Sequence, residues 1–487
     1  MKEIAMNGNS EEAVLAREKA QFEKMTKWPI PKLIISLGIP TMLNMMVTSL
    51  YNLADTYFVS GLSEQATGAV NVVLSLMSII QAIGFMLGMG SGSIVSKLLG
   101  QRKQKEADIV TSSTFAIAFV LGSLICIFGS IFLTPLMWLL GATEEVGVAV
   151  TTLEYARQYT QFILFAAPFM CMSLVLNNVL RAQGKALLSM IGLVSGAVIN
   201  VVLDPILIYT ANMQMRGAAL ATCVSQIISF CILLYIFLSG KTIVRVKLKD
   251  ISKKFSVYFD VISTGFPSFC RQILASLCTV LLNWAVKPYD GALAALGVVQ
   301  KVFMFAFSIS LGIGQGYQPV LGYNHGCGRY DRVKKAYLFT LMFSTILMIF
   351  FASACAIFAP NIMRAFLENE NAVAIGVLAL RLQCLSMPLL PLNFMASVSY
   401  QVVGSKLAAA VLSVSRQGLF YIPAVLVLPR LFLLLGVQCC QAVSDVGSAL
   451  FALPFMFAFL KSLNKDNQEN PNMEEGDFKG GETIFDE

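Results

Sequence analysis

Residues 190–210 read MIGLVSGAVINVVLDPILIYT, and this stretch decides what kind of fold the chain adopts. As an α-helix it is long enough to cross the roughly 30 Å of hydrocarbon in a bilayer. Its single charged residue, Asp204, follows Asn200 by one helical turn, so an amide and a carboxylate share one helix face. A carboxylate at such a depth costs on the order of 3 kcal/mol and usually faces the protein interior, a cavity or an ion path. The stretch predicts a membrane-spanning helix that carries a proton or cation site.

The composition of the whole chain agrees with a membrane setting. Of its 487 residues, 56% are hydrophobic and only 13% are charged, and the mean hydropathy is +0.72. Soluble proteins of this length do not reach such values. The net charge of +7 is spread over loops, so we expect no nucleic-acid partner. The eleven cysteines are scattered without a zinc-type spacing, so we interpret them as small buried hydrophobic residues and expect no metal site.

Hydropathy predicts twelve spans of roughly 20 or more mostly apolar residues. The first six are 33–59, 66–92, 110–139, 156–180, 187–211 and 217–239. The second six are 260–286, 292–320, 336–359, 374–400, 407–429 and 436–460. The fold class predicted is an all-α integral membrane protein.

Basic residues alternate between the loops, and this predicts the orientation. The loops that follow spans two, four, six, eight and ten are rich in Lys and Arg, whereas the opposite loops hold few and include Glu144 and Glu145. Because cytoplasmic loops carry an excess of Lys and Arg, both termini are predicted to be cytoplasmic. A multi-pass membrane protein is expected.

The two groups of six spans resemble each other. Gly88 and Gly90 are followed 226 residues later by Gly314 and Gly316, and Gly38-Ile39-Pro40 matches Gly265-Phe266-Pro267. Two six-helix lobes related by pseudo-two-fold symmetry about the membrane normal are therefore predicted. The predicted segments are a cytoplasmic N-terminal segment 1–31, an N-lobe 32–239, a cytoplasmic linker 240–257, a C-lobe 258–463 and an acidic, disordered cytoplasmic tail 464–487.

Four polar residues are predicted to lie at similar depth in the first lobe. Asp55 lies near the outer end of span one, Asn200 and Asp204 lie in the outer half of span five, and Thr222 lies one turn inside the outer end of span six. Tyr51 precedes Asp55 by four residues and shares its helix face. Such a set suits a proton or a sodium ion. The alternative is structural: Asp55 caps its helix, and Asp204 only hydrogen-bonds Asn200.

The second lobe differs in charge. Its spans hold Arg271, Lys301, Arg381 and Arg416, with Asp445 as the acid within a span. Lys301 and Asp445 lie at similar depth in spans eight and twelve, so a salt bridge between them is predicted. Ion coupling is therefore assigned to the first lobe.

Several motifs, taken in their order and spacing, resemble the multidrug and toxic compound extrusion (MATE) transporters, in particular their bacterial multidrug exporter branch. The resemblance extends from about Lys32 to Leu463. The motifs are Asn52-Leu-Ala-Asp55-Thr56, Leu180-Arg-Ala-Gln-Gly184, Asn200-Val-Val-Leu-Asp204-Pro205-Ile-Leu-Ile208, Gly217-Ala-Ala-Leu-Ala-Thr222, Gly314-Gln-Gly-Tyr-Gln-Pro319 and Asn324-His-Gly326.

The resemblance implies twelve helices in two lobes, a place in the bacterial inner (plasma) membrane, and export of organic cations in exchange for inward protons or sodium. It implies a cation-coupling set and two residues with a substrate or relay role. The coupling set is Asp55, Asn200, Asp204 and Thr222, and the other two are Tyr51 and Asn177. No cofactor is expected beyond the coupling ion, H⁺ or Na⁺. The expected partners are small cationic substrates and membrane lipid, and the chain is expected to act as a monomer.

Two other functions remain open. A flippase for lipid-linked oligosaccharides shares this architecture in the wider superfamily, and the arginines of the second lobe suit its pyrophosphate. A membrane-embedded enzyme is a further alternative, but the sequence has no paired acidic motif, P-loop, HExxH or GxSxG, so no enzymatic activity is expected.

Overall fold

The computed structural model of the chain describes residues 11–60, 62–142, 150–289 and 291–469. The side chains of 11–15, 52–57, 60, 64 and 466–469 lie outside that description. Within the described residues the structure consists of helices and their connections, without a β-strand. An all-helical chain satisfies its backbone polar groups internally, as a bilayer requires.

Sixteen α-helices are present in the described part of the chain. They are α1 Glu11–Lys27, α2 Ile30–Ser60, α3 Glu64–Gly100, α4 Gln104–Ile131, α5 Leu133–Leu139, α6 Thr152–Ala182, α7 Ala186–Pro205, α8 Gln214–Leu238, α9 Phe255–Val286, α10 Ala292–Gly326, α11 Tyr330–Ile357, α12 Ala359–Phe366, α13 Glu370–Ser386, α14 Leu390–Val403, α15 Lys406–Val414 and α16 Ile422–Glu469. Two π-helical segments, Ile206–Thr210 and Ser415–Tyr421, follow α7 and α15.

Eleven continuous helical stretches of the described chain are long and apolar enough to cross a membrane. The last of them, Lys406–Lys465, has 60 residues and contains both of the predicted spans 407–429 and 436–460. Its backbone departs from helical geometry at Leu433, with φ of 51°. At Gly436 an added methyl group would overlap the carbonyl of Leu428, so glycine permits the tight connection between the two spans.

The chain forms two compact units. Among the described residues, unit one comprises those within 11–24 and 47–265, and unit two comprises those within 25–46 and 266–469. Helix α2 thus contributes its first half to unit two, and α9 contributes its first residues to unit one. The predicted lobes divide the chain by membrane topology instead, so 32–239 and 258–463 stay a prediction.

Glycines at matching positions of the sequence repeat make close helix crossings in both units. In unit one, a methyl group added to Gly265 of α9 would overlap the carbonyl oxygen of Met86 in α3. In unit two, a methyl group added to Gly316 of α10 would lie 2.5 Å from the Cα of Gly38 in α2. Small residues let membrane helices approach at backbone contact.

The two ends of the described chain are helical. Helix α1 lies within the predicted segment 1–31. Helix α16 continues to Glu469, which corrects the predicted disorder of the tail 464–487 for residues 464–469. Residues 470–487 and the loop acids Glu144 and Glu145 lie outside the described residues.

Candidate functional site

One face of α7 combines small residues with the polar residues singled out in the sequence. Gly192, Gly196, Asn200 and Asp204 recur every four residues, and all four are buried. Residues at this spacing stack along one side of a helix. The glycines therefore bring α7 close to a neighbouring helix, and the same face carries the amide and the carboxylate into that contact.

The neighbouring helix is α8. A methyl group at Gly196 would lie 2.8 Å from the Cβ of Ser229, and the Ser229 hydroxyl donates to the carbonyl oxygen of Gly192 at 2.9 Å. Near the start of α8, a methyl group at Gly217 would lie 2.6 Å from the backbone of Leu207. This close approach at both ends brings Thr222 opposite Asn200.

The cluster at this contact is formed by four side chains from three helices. Asn200 Nδ2 lies 3.4 Å from Oδ1 of Asp204 and 3.3 Å from Oγ1 of Thr222. The hydroxyl of Tyr159 in α6 hydrogen-bonds Thr222 Oγ1 at 3.1 Å. The exposed fractions are 0% for Asp204, 1% for Asn200, 3% for Thr222 and 1% for Tyr159. We call these four residues the polar cluster.

The polar cluster is rich in oxygen atoms. It contains a carboxylate, an amide and two hydroxyls, which are the groups that hard cations prefer. Oδ1 of Asn200 is buried and meets no hydrogen-bond partner among the described residues. No group of three or more His, Cys, Asp and Glu that suits a metal ion occurs in the described ranges. The carboxylate, amide and hydroxyl oxygen atoms of the cluster are able to hold a proton or one small cation.

The backbone changes its winding directly after Asp204. Pro205 has no N–H to continue the helical ladder, and Ile206–Thr210 form a π-helical segment. Such wide turns interrupt α-helices frequently at functional sites. Asp204 thus sits where α7 ends and a wider turn begins.

Tyr159 is a member of the cluster that sequence reasoning missed. The depth criterion that selected Thr222, one turn inside the outer end of its predicted span, applies equally to Tyr159 in the predicted span 156–180. A tyrosine near a span end is usually interpreted as an interfacial anchor. Here the side chain is buried and its hydroxyl contacts Thr222.

Two predicted residues come from α2. Asp55 lies in this helix, but its side chain lies outside the described residues. Tyr51 is partly buried. The roles of Asp55 and Tyr51 stay predictions.

Asn177 lies apart from the polar cluster. Its Nδ2 donates to the Oγ of Ser189 at 2.7 Å and to the carbonyl oxygen of Ser189 at 3.0 Å. Ser189 precedes Asn200 by eleven residues in α7, which corresponds to about 16 Å along a helix. The structure does not bring Asn177 to the cluster, and its substrate or relay role stays a prediction.

Lys185 is the titratable residue that immediately precedes α7, at the end remote from Asp204. Burial, followed by the positive charges of Arg17 and Lys24, lowers the pKa of Lys185 to about 8 because both factors disfavour the charged form. A pH dependence of activity near pH 8 would therefore not by itself identify Asp204 as the titrating group.

Unit two contains a buried ion pair in place of the predicted one. Nε of Arg416 lies 2.9 Å from Oδ1 of Asp445, with side-chain exposures of 9% and 0%. Gln441 and Ser386 donate to the same carboxylate at 2.8 and 3.1 Å. Lys301 is exposed. The predicted Lys301–Asp445 salt bridge is therefore wrong, because the π-helical segment that follows α15 carries Arg416 directly to Asp445.

Removing the arginine of this pair should destabilise the protein strongly. We expect Arg416→Met to lower the free energy of unfolding by roughly 3–5 kcal/mol, because Asp445 would remain charged and buried without its counter-ion. Thermal unfolding of the purified protein in detergent measures the effect. Arg381→Met, at an exposed position of the same unit, serves as the control, with an expected change within about 0.5 kcal/mol. Equal stability of the two variants would contradict the pair's importance.

Spanning helices that enclose a buried carboxylate, amide and hydroxyl are typical of membrane transporters. The sequence matches the family model described as MatE over residues 40–206 and 267–427. These two segments cover well over half of the chain. The chain belongs to the MatE family.

Named relatives and solved structures agree with this assignment. The chain is 25% identical over 453 residues to the multidrug export protein MepA of Staphylococcus saprophyticus, covering 92% of this chain and 97% of the relative. It is 24% identical to MepA of Staphylococcus aureus, covering 92% and 98%. A solved outward-facing MATE family transporter of the MOP superfamily has a TM-score of 0.85 and 26% identity, covering 91% of this chain and 98% of that chain.

These matches confirm the predicted family and fold class. The structural neighbours have twelve helices in two lobes, which agrees with a final helical stretch of 60 residues that is long enough for two crossings. The chain is a multi-pass membrane protein. Its predicted orientation, with both termini in the cytoplasm, stays a prediction.

Proposed function

We propose that this MatE protein is a secondary active multidrug efflux antiporter that exports organic cations in exchange for protons or sodium. The observation that carries the proposal is Asp204, fully buried beside Asn200 and Thr222. A carboxylate held inside a spanning helix is expensive, so its presence is best explained by an ion that binds and leaves. The relatives named multidrug export proteins support the direction of transport and the breadth of substrates.

The exchange of substrate for ion follows because both are cations that compete for the negative charge of Asp204. When Asp204 is ionised, a cationic substrate stabilises its negative charge. When a proton or sodium ion occupies the cluster, that charge is neutralised and the substrate loses its partner. Because a ligand shifts a conformational equilibrium only by its differential affinity, alternate occupation by ion and substrate couples the two fluxes.

Both coupling ions fit the groups of the cluster. A proton would bind an Asp204 oxygen, and the neutral carboxyl would remain hydrogen-bonded to Asn200. Sodium would use oxygen atoms of Asp204 and Thr222, together with the Asn200 amide oxygen once that amide is turned over. Asp55 is proposed as the second carboxylate of this set.

The membrane potential contributes free energy to export when the exchange moves net positive charge inward, as when a neutral substrate leaves for one proton or a monovalent cation leaves for two ions. Each charge that moves inward contributes roughly 2.3 kcal/mol per 100 mV. This supports roughly a fiftyfold uphill gradient in an exchange that moves one net charge. No bound cofactor and no catalytic step are required, in agreement with a non-enzymatic protein.

Ethidium efflux from whole cells, together with ethidium uptake into everted vesicles, tests this function, with the proton and sodium gradients collapsed separately. We expect efflux by the wild type to stop when one gradient is collapsed and to persist when only the other is, which identifies the coupling ion. Asp331→Asn, at an exposed residue, should behave as the wild type. Efflux that persists without either gradient would contradict coupled exchange. An inactive wild type at normal expression would favour the flippase.

A further inference from the structure

A second polar pocket lies within unit two, away from the residues assigned to ion coupling. It is formed where α9, α10, α14 and the π-helical segment after α15 meet. The lining residues on which the inference depends are Arg271, Phe307, Asn393, Phe394, Arg416 and Gln417. Since the coupling set lies on other helices, the role of this pocket is open.

The pocket carries more positive than negative charge. Two guanidinium groups line it, from Arg271 and Arg416, and the acid beside them is Asp445. Both oxygens of Asp445 are engaged, one by Arg416 and Gln441 and the other by Ser386. Asp445 therefore neutralises Arg416, and a net charge of one guanidinium remains.

Donors of both arginines remain available. Nη1 of Arg271 and Nη2 of Arg416 are buried, and neither meets a hydrogen-bond acceptor within the described part of the chain. A buried charged donor without an acceptor is costly. Both residues line the same pocket, so an anionic group bound there would meet donors that lack an acceptor.

Aromatic rings lie beside both guanidinium groups of the pocket. The Arg271 guanidinium lies 5.1 Å from the ring centre of Phe394, and that of Arg416 lies 5.0 Å from the ring centres of Phe303 and Phe307. Phe307 and Phe394 meet edge to face at 6.2 Å. A guanidinium at this distance from an aromatic ring is attracted by the π electrons of the ring. The same rings offer an apolar surface beside the charged groups.

We propose that this pocket of unit two binds the acidic group of an organic anion, a carboxylate or phosphate attached to an apolar body. Planar guanidinium groups match the geometry of such oxygen acids. The phenylalanine rings accommodate the apolar body, and a cationic compound is excluded by the uncompensated positive charge. This activity goes beyond the proposed cation exchange and does not depend on it, since the two sites share no residue.

Calorimetric titration with 4-phenylbutyrate tests the site, with the protein in nanodiscs of phosphatidylcholine. We expect wild type to bind the carboxylate at least tenfold more tightly than the neutral 4-phenylbutyramide. Arg271→Gln should lower carboxylate affinity at least tenfold and leave amide binding unchanged, whereas Arg271→Lys should retain part of the affinity. Arg381→Gln removes the same charge from an exposed position of unit two and should leave binding unchanged.

Nanodiscs that contain phosphatidylglycerol distinguish the two sources of the acidic group. Weaker phenylbutyrate binding in these discs, dependent on Arg271, assigns the site to a lipid phosphate, and undiminished binding assigns it to soluble anions. Equal affinity of wild type for carboxylate and amide would overturn the proposal, and this comparison needs no variant to fold. Absence of carboxylate binding, or an Arg271→Gln variant that binds as wild type, would overturn it as well. Ethidium efflux, measured separately, reports on the cation exchange alone.

Discussion

Asp204→Asn should reduce gradient-driven ethidium efflux at least tenfold, to the level of cells without the protein. The substitution keeps the shape of the side chain and its hydrogen bonding to Asn200, but it removes the ionisable group. An amide can neither take up a proton at physiological pH nor provide the negative charge that sodium or a cationic substrate requires. The loss should therefore affect turnover and coupling while the fold remains intact.

Two comparisons separate this result from a folding defect. Asp331→Asn makes the same chemical change at an exposed position whose weak ion pair joins Lys335 at 4.0 Å, and it should retain full efflux. The thermal stability of Asp204→Asn should equal or exceed that of wild type, because a buried charge is costly. Full efflux by Asp204→Asn would remove this residue from the mechanism, and a collapse of its stability would show a structural role.

Gly265→Ala should destabilise the protein by about 3 kcal/mol or more and reduce its accumulation in membranes. The added methyl group would overlap the carbonyl oxygen of Met86, a backbone atom of α3 that no side-chain rotation can move aside. Overpacking in a core commonly costs about 1–3 kcal/mol, and the cost is larger when backbone must shift. Thermal unfolding in detergent gives the size of the effect.

Gly297→Ala provides the matched control in another spanning helix. An added methyl group at Gly297 meets nothing within 4 Å, so alanine should raise stability by about 0.5–1 kcal/mol through its better helix propensity. The two variants make the same chemical change and should shift stability in opposite directions. Similar behaviour of both would show that the crossing of α9 and α3 is looser than described.

Much of the architecture follows from hydropathy because each span is a local property. Every predicted span overlaps a long apolar helix of the described chain, although the span predicted at 110–139 runs beyond the end of α4 at Ile131 into the short helix α5. Part of the polar cluster could be predicted for a related reason. Asn200 and Asp204 lie one helical turn apart in sequence, so their side chains are neighbours whenever α7 is a helix. Thr222 of the following helix was then predicted because it lies at a similar depth along its span.

The remaining contacts depend on how each helix is rotated about its own axis. The depth of a residue along a predicted span does not give that rotation. Lys301 and Asp445 lie at similar predicted depth, yet Arg416 makes the ion pair because the π-helical winding at Ser415–Tyr421 changes the direction in which side chains leave the helix. Tyr159 was missed since a tyrosine near a span end resembles an interfacial anchor. The helix that each repeated glycine contacts also depends on the assembled unit. The matching positions of glycines in the sequence repeat do not predict it.

The glycine crossings also decide when each unit can be completed during synthesis. Gly38 in α2 packs against Gly316, which the ribosome adds 278 residues later. In unit one, α3 similarly lacks its contact until Gly265 has been made. Contacts so distant in sequence form late. A nascent chain that stops within residues 240–257 would thus contain six spans but lack the α9 backbone that packs on Gly90 of α3, so unit one is completed only after the seventh span has begun.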